Sequence, residues 1–302
     1  LNQNTQPAFS FNLPIKNNQY INLQFEEDSS SMIKDEKEIA FLSISKLAYL
    51  IKNKLISSEK LTKIYLNRIK KYNKDLNVIV TLTENLAIKQ AKKADLELNN
   101  GLYRGLLHGI PYGIKDLASF PGYPTTWGAE PYKNQLINEK AEVIQILEES
   151  GAVMLGKLSS GALARGDVWF GGKTKNPWDL NQGSSGSSAG SASATAAGLV
   201  GFSIGTETLG SIISPSTRCG VSGLRPTYGS VSTNGFMTLS WSMDKIGPIA
   251  RTAKGCAIVF NEIQKKEGLN KINKPFNKNV NNLKIAFLEG LFLNDTSRYA
   301  KN

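Results

Sequence analysis

The sequence predicts an α/β protein in which a layered β-sheet is covered by helices on both faces. Segments with helical periodicity alternate with short strand-like segments along most of the chain, as in layered sheet proteins. Strand candidates at 152–155 and 199–204 are almost entirely apolar, which is typical of strands buried on both faces. No period of 20 to 50 residues recurs, so a solenoid is excluded.

Three helices are predicted in the first third of the chain. One follows Ser43 or Ser45 as N-cap, and a second opens at Ser57-Ser58-Glu59; serine is a favoured helix cap. The third follows a strand-like segment at 77–82 and ends near Gly101. Helical spacing predicts that their apolar stripes are packed core. The predicted core positions are Leu47, Leu50, Ile51, Leu61, Ile64, Tyr65, Ile69, Tyr72, Ala87, Ala91, Ala94 and Leu98.

The rest of the chain shows the same alternation. Helices are predicted over 139–150, 191–197 and 254–263, and strands over 152–155, 199–204 and 283–288. Residues 1–38 are predicted to be an N-terminal extension, with a marginal hairpin from 9–13 and 20–25 and a charged linker over 26–37. The main domain is expected to span 39–302.

Charge and composition limit the partners. The net charge is +11, but the lysines are spread along amphipathic helices, so we expect a solvated surface and no nucleic-acid partner. No stretch of 18 apolar residues occurs, so no membrane-spanning helix is expected. The chain starts at Leu1, which indicates a processing site or a fragment edge. The compartment, cytoplasmic or exported, is left open.

Histidine and cysteine are scarce. Cys219 and Cys256 have no C-x-x-C spacing, so neither a disulfide framework nor a zinc site is expected. Cys219 is predicted to be a small buried apolar residue, and the alternative is a thiol nucleophile. A histidine-dependent mechanism could use only His108. We therefore expect no metal, and no organic cofactor is implied.

Glycine and serine are concentrated between 183 and 216. Glycine next to serine suits a catalytic loop, because the backbone can approach substrate while a hydroxyl attacks. Residues 186–190 formally match the G-x-S-x-G nucleophile elbow. That motif requires a strand directly before it and a histidine after it; the sequence predicts no such strand, and His108 precedes it.

A serine nucleophile without histidine needs another base, and a neutral lysine is the alternative. Free lysine has a pKa near 10.4 and loses its proton at neutral pH only when desolvated or close to another cation. Lys115 follows an apolar, Gly/Pro-shaped segment, 107–114, which makes it the candidate base. Asp116 is predicted to be a structural hydrogen-bond acceptor.

Four separate motifs stand out in the sequence: Gly113-Ile114-Lys115-Asp116, Asn176-Pro177-Trp178-Asp179, Ser187-Ser188-Ala189-Gly190-Ser191 and 205–226. Together they resemble the amidase signature family, in one register from about Ile39 to Phe260. The resemblance implies an α/β/α fold around a large mixed sheet and the hydrolysis of carboxamides. It also implies a triad of a nucleophilic serine, a serine after a cis peptide bond, and a lysine.

Carried over residue by residue, the triad is Ser211 as nucleophile, Ser187 as proton relay and Lys115 as base. The family's relay serine lies 24 positions before the nucleophile and 11 after the asparagine of Asn-Pro-Trp, and both counts give Ser187. The Gly186–Ser187 bond is predicted to be cis. Backbone N–H groups around Thr208, Leu209 and Gly210 are predicted to bind the oxyanion.

The chain departs from the family pattern at Leu209, usually glycine, at Ile213, often arginine, and in the aromatic loop 167–172. Leu209 is expected either to narrow the acyl side or to adopt a φ that leucine tolerates. Family members usually continue past Asn302, so the C-terminal part of the fold is expected to be absent. These departures favour a stand-alone amidase acting on a small-molecule or peptide amide. The alternatives are the A subunit of a glutamine-dependent aminoacyl-tRNA amidotransferase and a non-catalytic basic binding protein.

Overall fold

The computed structural model describes residues 19–24, 35–264 and 270–275. For residues 19–24 and 270–275 it describes the backbone. The strands predicted at 9–13 and 283–288 lie outside the described residues.

Eight α-helices occur in these described ranges: α1 Glu36–Ile39, α2 Ile44–Lys52, α3 Ser58–Leu76, α4 Glu84–Asn99, α5 Glu142–Glu149, α6 Ala189–Ala196, α7 Ile213–Cys219 and α8 Ala253–Ile263. Two short 3₁₀ turns lie at Glu130–Tyr132 and Ala162–Ala164. The caps agree with the sequence: the hydroxyls of Ser43 and Ser57 accept from the backbone N–H groups of Lys46 and Lys60.

Twelve strands occur in the same ranges: β1 Gln19–Gln24, β2 Ile79–Leu82, β3 Pro111–Lys115, β4 Val153–Leu158, β5 Val168–Trp169, β6 Gly172–Lys173, β7 Lys175–Asn176, β8 Asp179–Gly183, β9 Phe202–Glu207, β10 Ser222–Gly223, β11 Lys245–Ala250 and β12 Asn270–Pro275. Six of them form one sheet in the order β10-β11-β9-β3-β4-β2. β3 runs parallel to β4 and β9, whereas β2, β10 and β11 pair antiparallel with their neighbours. The mixed central sheet is therefore confirmed.

Helices cover both faces of this sheet, as strand β11 shows. Ile246 and Ala250 belong to the main core with α2 to α5 and α8. Ile249 instead packs with Ala192 of α6 and Cys219 of α7. Successive side chains in a strand point to opposite faces, so these two cores lie on opposite sides of the sheet. The predicted α/β/α layering is confirmed.

The predicted strand at 199–204 begins three residues late, at Phe202. After helix α6, Gly198 has φ 64° and Leu199 N–H donates to Ala194 O at 2.9 Å. The backbone at 198–199 therefore still closes the C-terminal turn of the helix, whereas Gly201 N–H already donates to Pro111 O of β3 at 2.8 Å. The strand then extends to Glu207, beyond its predicted end.

Residues 19–24 form a strand, which pairs in parallel with β12. The other strand of the predicted hairpin, 9–13, lies outside the described residues, so the hairpin stays a prediction. Two sequence predictions need correction. The predicted linker ends earlier, because Asp35 caps α1, which contains Glu36 and Lys37. A strand, 179–183, does precede the G-x-S-x-G match; it pairs only with β7, outside the central sheet.

Arg251, just after β11, ties three parts of the chain together. Its guanidinium donates to the carbonyls of Phe41 and Leu42 before α2, with Leu42 at 2.7 Å from Nη2. It also donates to Thr195 O in α6 at 3.2 Å and to Val200 O at 2.9 Å. A guanidinium presents five N–H donors in a fixed fork, so one side chain can satisfy all four carbonyls.

Arg251→Lys is expected to lower the free energy of unfolding by about 2–4 kcal/mol, because an ammonium cannot reproduce the planar fork and leaves buried carbonyls unpaired. Chemical denaturation followed by circular dichroism measures the change. Arg165→Lys, at an exposed position, is the matched control. Equal stabilities for the two variants would contradict this role.

Candidate active site

The candidate site lies where neighbouring parallel strands end. β3 ends at Lys115, and its parallel neighbour β9 ends at Glu207. The carboxyl ends of adjacent parallel strands meet at one edge of a sheet, where ligands bind in open α/β folds. Both strands are buried along their whole length, so this edge is set into the interior of the protein.

Lys115 is completely buried and surrounded by neutral oxygens. Its Nζ lies 2.7 Å from Ser187 Oγ and 2.8 Å from Thr206 Oγ1. Burial lowers the pKa of Lys115 to about 7, although the carboxylates of Asp244 and Glu207 act in the opposite direction. The amine therefore has a substantial neutral fraction near pH 7, which an ordinary lysine lacks.

Ser187 lies just before α6, where the backbone of the preceding residue packs closely against another loop. The Gly186–Ser187 peptide bond is cis, as predicted. A Cβ at Gly186 would lie 1.9 Å from Gly166 O, so only glycine fits there. Ser188 then fixes the start of α6 on β9: its Oγ donates to Thr206 O at 3.0 Å and accepts from Thr206 N–H at 3.1 Å.

Ser211 is half-buried on the loop between β9 and α7. Its carbonyl accepts from Ser188 N–H at 3.1 Å, so it lies beside the residue that follows Ser187. A direct proton relay from Ser211 to Ser187 would require a hydrogen bond between their hydroxyls, and none occurs among the described residues. The Ser211 hydroxyl has no hydrogen-bond partner in that part of the chain, and its role stays a prediction.

The loop before Ser211 carries free backbone donors. No acceptor among residues 35–264 engages the N–H groups of Leu209, Gly210 or Ser211. Gly210 has φ 83°, and Leu209 is not among the described residues with positive φ. Leu209 therefore has a φ that leucine tolerates, which is one of the two expected alternatives, and the following glycine takes the left-handed conformation. The Leu209 side chain is 85% exposed.

Glu207 holds the end of this loop next to α7. Its role was not identified from sequence. Its side chain is 3% exposed, and Oε2 accepts from the N–H groups of Ile212 and Ile213 at 2.8 and 3.0 Å. A carboxylate at the start of α7 satisfies helix donors that have no partner within the helix. The only sequence signal was the position of Glu207 within the glycine-rich motif.

Asp244 and Lys245 hold the other end of the same loop. Asp244 Oδ1 accepts from Thr208 Oγ1 at 2.5 Å, and Oδ2 accepts from the N–H groups of Leu239 and Ser240. Lys245 Nζ donates to Thr208 O at 3.1 Å. Thr208 is thus fixed at both its hydroxyl and its carbonyl. Neither Asp244 nor Lys245 was singled out from sequence.

The Asn-Pro-Trp motif fixes the far end of α7. Asn176 Nδ2 donates to Arg218 O at 3.3 Å, and Trp178 Nε1 donates to Cys219 O at 2.8 Å. These are two of the carbonyls that a helix leaves unpaired at its C-terminus. The motif therefore positions α7, the helix that begins two residues after Ser211.

Asp116, next to the candidate base, is structural, as predicted. It is fully buried, Oδ1 lies 2.7 Å from Lys157 Nζ, and Oδ2 accepts from the N–H of Thr126 at 3.1 Å and from its hydroxyl. Burial raises the pKa of Asp116 and lowers that of Lys157, while their mutual attraction opposes both shifts.

The scarce histidine and cysteines lie outside the site. His108 is buried before the opposite end of β3, with Nε2 2.9 Å from Ala94 O. Cys219 is buried, as predicted, and so is Cys256; burial raises the pKa of each to about 12. The thiols are therefore protonated at neutral pH and unsuited to nucleophilic attack.

In the described ranges no group of three or more His, Cys, Asp or Glu side chains is arranged to hold a metal ion. None of the described helices combines the length and hydrophobicity needed to cross a membrane.

Fold and site together define an α/β/α protein with a histidine-free serine–lysine centre at the edge of a mixed sheet. The family model described as Amidase matches residues 60–298. The chain belongs to this amidase family.

Similar proteins fall into two groups. The A subunit of the glutamyl-tRNA(Gln) amidotransferase of Thermoanaerobacter pseudethanolicus is 39% identical over 245 residues, covering 79% of this chain and 50% of that protein. The peptide amidase of Stenotrophomonas maltophilia superposes with a TM-score of 0.70 at 34% identity, and the match covers 75% of this chain and 48% of that protein. An amidase family protein of Bacillus anthracis str. Ames superposes with a TM-score of 0.73 at 33% identity, and the match covers 77% of this chain and 48% of that protein. The chain spans about half the length of the curated relatives it matches.

Glu207→Gln is expected to loosen the loop that carries Ser211, because Oε2 accepts both backbone N–H groups and a neutral amide oxygen accepts them more weakly than a carboxylate oxygen does. We expect a loss of about 1–3 kcal/mol in unfolding free energy and faster amide hydrogen exchange at residues 212 and 213. Glu130→Gln, exposed on the surface, is the control. Unchanged exchange at these two amides would show that Glu207 does not hold the loop.

Proposed function

We propose that this protein hydrolyses a carboxamide to a carboxylate and ammonia or an amine, through an acyl-serine intermediate. Neutral Lys115 takes a proton from Ser187 as Ser187 takes one from Ser211. Ser211 Oγ then bonds to the amide carbon, and the N–H groups of the preceding loop stabilise the oxyanion. The proton passes to the leaving nitrogen as the C–N bond breaks. Water, deprotonated along the same relay, cleaves the acyl ester and frees Ser211.

The observation that carries this proposal is the environment of Lys115. A fully buried amine with a pKa of about 7, 2.7 Å from Ser187 Oγ, has the properties of a general base at neutral pH. The free N–H groups at 209–211 give the chemistry a second component, since preorganised donors stabilise the charge that develops on the carbonyl oxygen. Family membership supports amide C–N chemistry.

The proposed substrate is a small-molecule or peptide amide, and the proposed steps use only side chains and backbone groups of this chain. Solved structures with the same fold include a peptide amidase at 34% identity. That similarity supports a stand-alone amidase as the first candidate.

A second candidate is the A subunit of a glutamine-dependent aminoacyl-tRNA amidotransferase. Its support is the curated relatives, which carry that name at 39% and 43% identity. Glutamine-dependent ammonia release that appears only with co-purified partner chains would favour this candidate. Hydrolysis of simple amides by the chain alone would favour the first.

Labelling with a fluorophosphonate, followed by mass spectrometry of peptides, tests the nucleophile. We expect the adduct on Ser211 and none on Ser211→Ala. Lys115→Met and Ser187→Ala are expected to slow labelling by about 10²–10⁴-fold, the usual contribution of general-base catalysis. Ser214→Ala, three residues from the nucleophile and exposed, is the matched control. An adduct on another serine would refute the assignment.

The pH dependence of labelling tests the base. Only the neutral amine accepts a proton, so the rate is expected to rise as pH increases through about 7 and to level off above it. For stability the sign also follows from the depressed pKa: between about 7 and the ordinary lysine value the unfolded chain binds more protons, so Lys115 makes stability rise with pH there. A labelling rate that climbed only near pH 10 would contradict a buried base.

A further inference from the structure

A shallow, solvent-open cleft lies directly beside the candidate site. Two of its lining residues are Thr206 and Thr208. Thr206 Oγ1 is hydrogen-bonded to Lys115 Nζ, and Thr208 precedes the free N–H groups of the loop. A group bound in this cleft would therefore lie next to an amide that reacts with Ser211.

Apolar side chains are the largest group among the residues that line the cleft, and threonines are the next largest. Leu239 and Trp241 are 51% and 44% exposed, so they present apolar surface that is not covered by the described part of the chain. Burying such surface against a ligand is favourable in proportion to the apolar area removed from water. The principal apolar lining side chains are Leu117, Phe236, Met237, Leu239, Trp241 and Ile246.

Charge in the cleft opposes an anionic ligand. Asp244 is the one ionisable residue among the described residues that line it. Both its oxygens are occupied, by Thr208 Oγ1 and by the N–H groups of Leu239 and Ser240. The neighbouring cation, Lys245, is directed to Thr208 O. A carboxylate placed here would meet a like charge and no lysine or arginine of the lining.

We infer that the substrate is a neutral amide that carries an apolar or aromatic group, held in this cleft, and that an amide with a carboxylate near the scissile bond is disfavoured. This inference rests on the proposed function and specifies the substrate class of the same site. Leu239 and Trp241 are then specificity-determining residues, because they form the exposed apolar wall against which the group packs.

Two fluorophosphonates that share one leaving group test this substrate class. One carries a phenylalkyl chain, and the other carries an alkyl chain of equal length that ends in a carboxylate. The rate of adduct formation on Ser211 is measured by mass spectrometry with the full chain. We expect the phenylalkyl reagent to react at least tenfold faster, and Trp241→Ala to reduce that ratio several-fold.

Leu239→Lys is expected to narrow the ratio further by placing a cation at the cleft. Leu136→Lys, also exposed but outside the cleft, is expected to leave it unchanged. Equal rates, or faster reaction of the anionic reagent, would overturn the substrate class while leaving the acyl-serine proposal intact. Absence of any Ser211 adduct with either reagent would overturn the proposed function, and the substrate class with it.

Discussion

The desolvation of the Lys115 amine is the constraint on which the site depends. An ammonium group favours water, so burying it in a low-dielectric environment favours the neutral form. The position of β3 provides that burial, because it lies inside the sheet between β4 and β9. Helices on both faces complete the exclusion of water. The layered fold thus keeps the Lys115 amine out of water, and the hydroxyls of Ser187 and Thr206 lie within hydrogen-bond distance of it.

The second constraint is the positioning of flexible segments around this rigid centre. Glycine and serine allow the chain to turn sharply near Ser187 and Ser211, but the same residues hold a loop poorly by themselves. Glu207 and Asp244 supply what is missing, since each accepts two backbone N–H groups. Both carboxylates also raise the pKa of Lys115. The two carboxylates that order the loop therefore also favour the charged form of the Lys115 amine, against the effect of burial.

The sequence predicted the fold class and helix caps because these depend on local pattern. It also led to Lys115, Ser187 and Ser211, since Lys115 has an apolar neighbourhood and the resemblance supplied a register for the two serines. Thr206, Glu207 and Asp244 were not identified, because their importance arises only when β9 pairs with β3 and β11. The strand at 179–183 was not predicted either: its residues are polar, and pairing with β7 outweighs their low propensity.

The comparison of two buried lysines supports Lys115, and not Lys157, as the proposed base. Lys157 on β4 is equally inaccessible, and it lies on the neighbouring strand in register with Ile114, the residue before Lys115. Burial lowers the pKa of both amines. Lys157, however, has the carboxylate of Asp116 at 2.7 Å, and an adjacent opposite charge favours the charged form. Lys115 has hydroxyl oxygens as its nearest partners, which do not impose a charge on it. Within one sheet, therefore, the choice of an acid or an alcohol as neighbour separates a structural ammonium from an amine that can accept a proton.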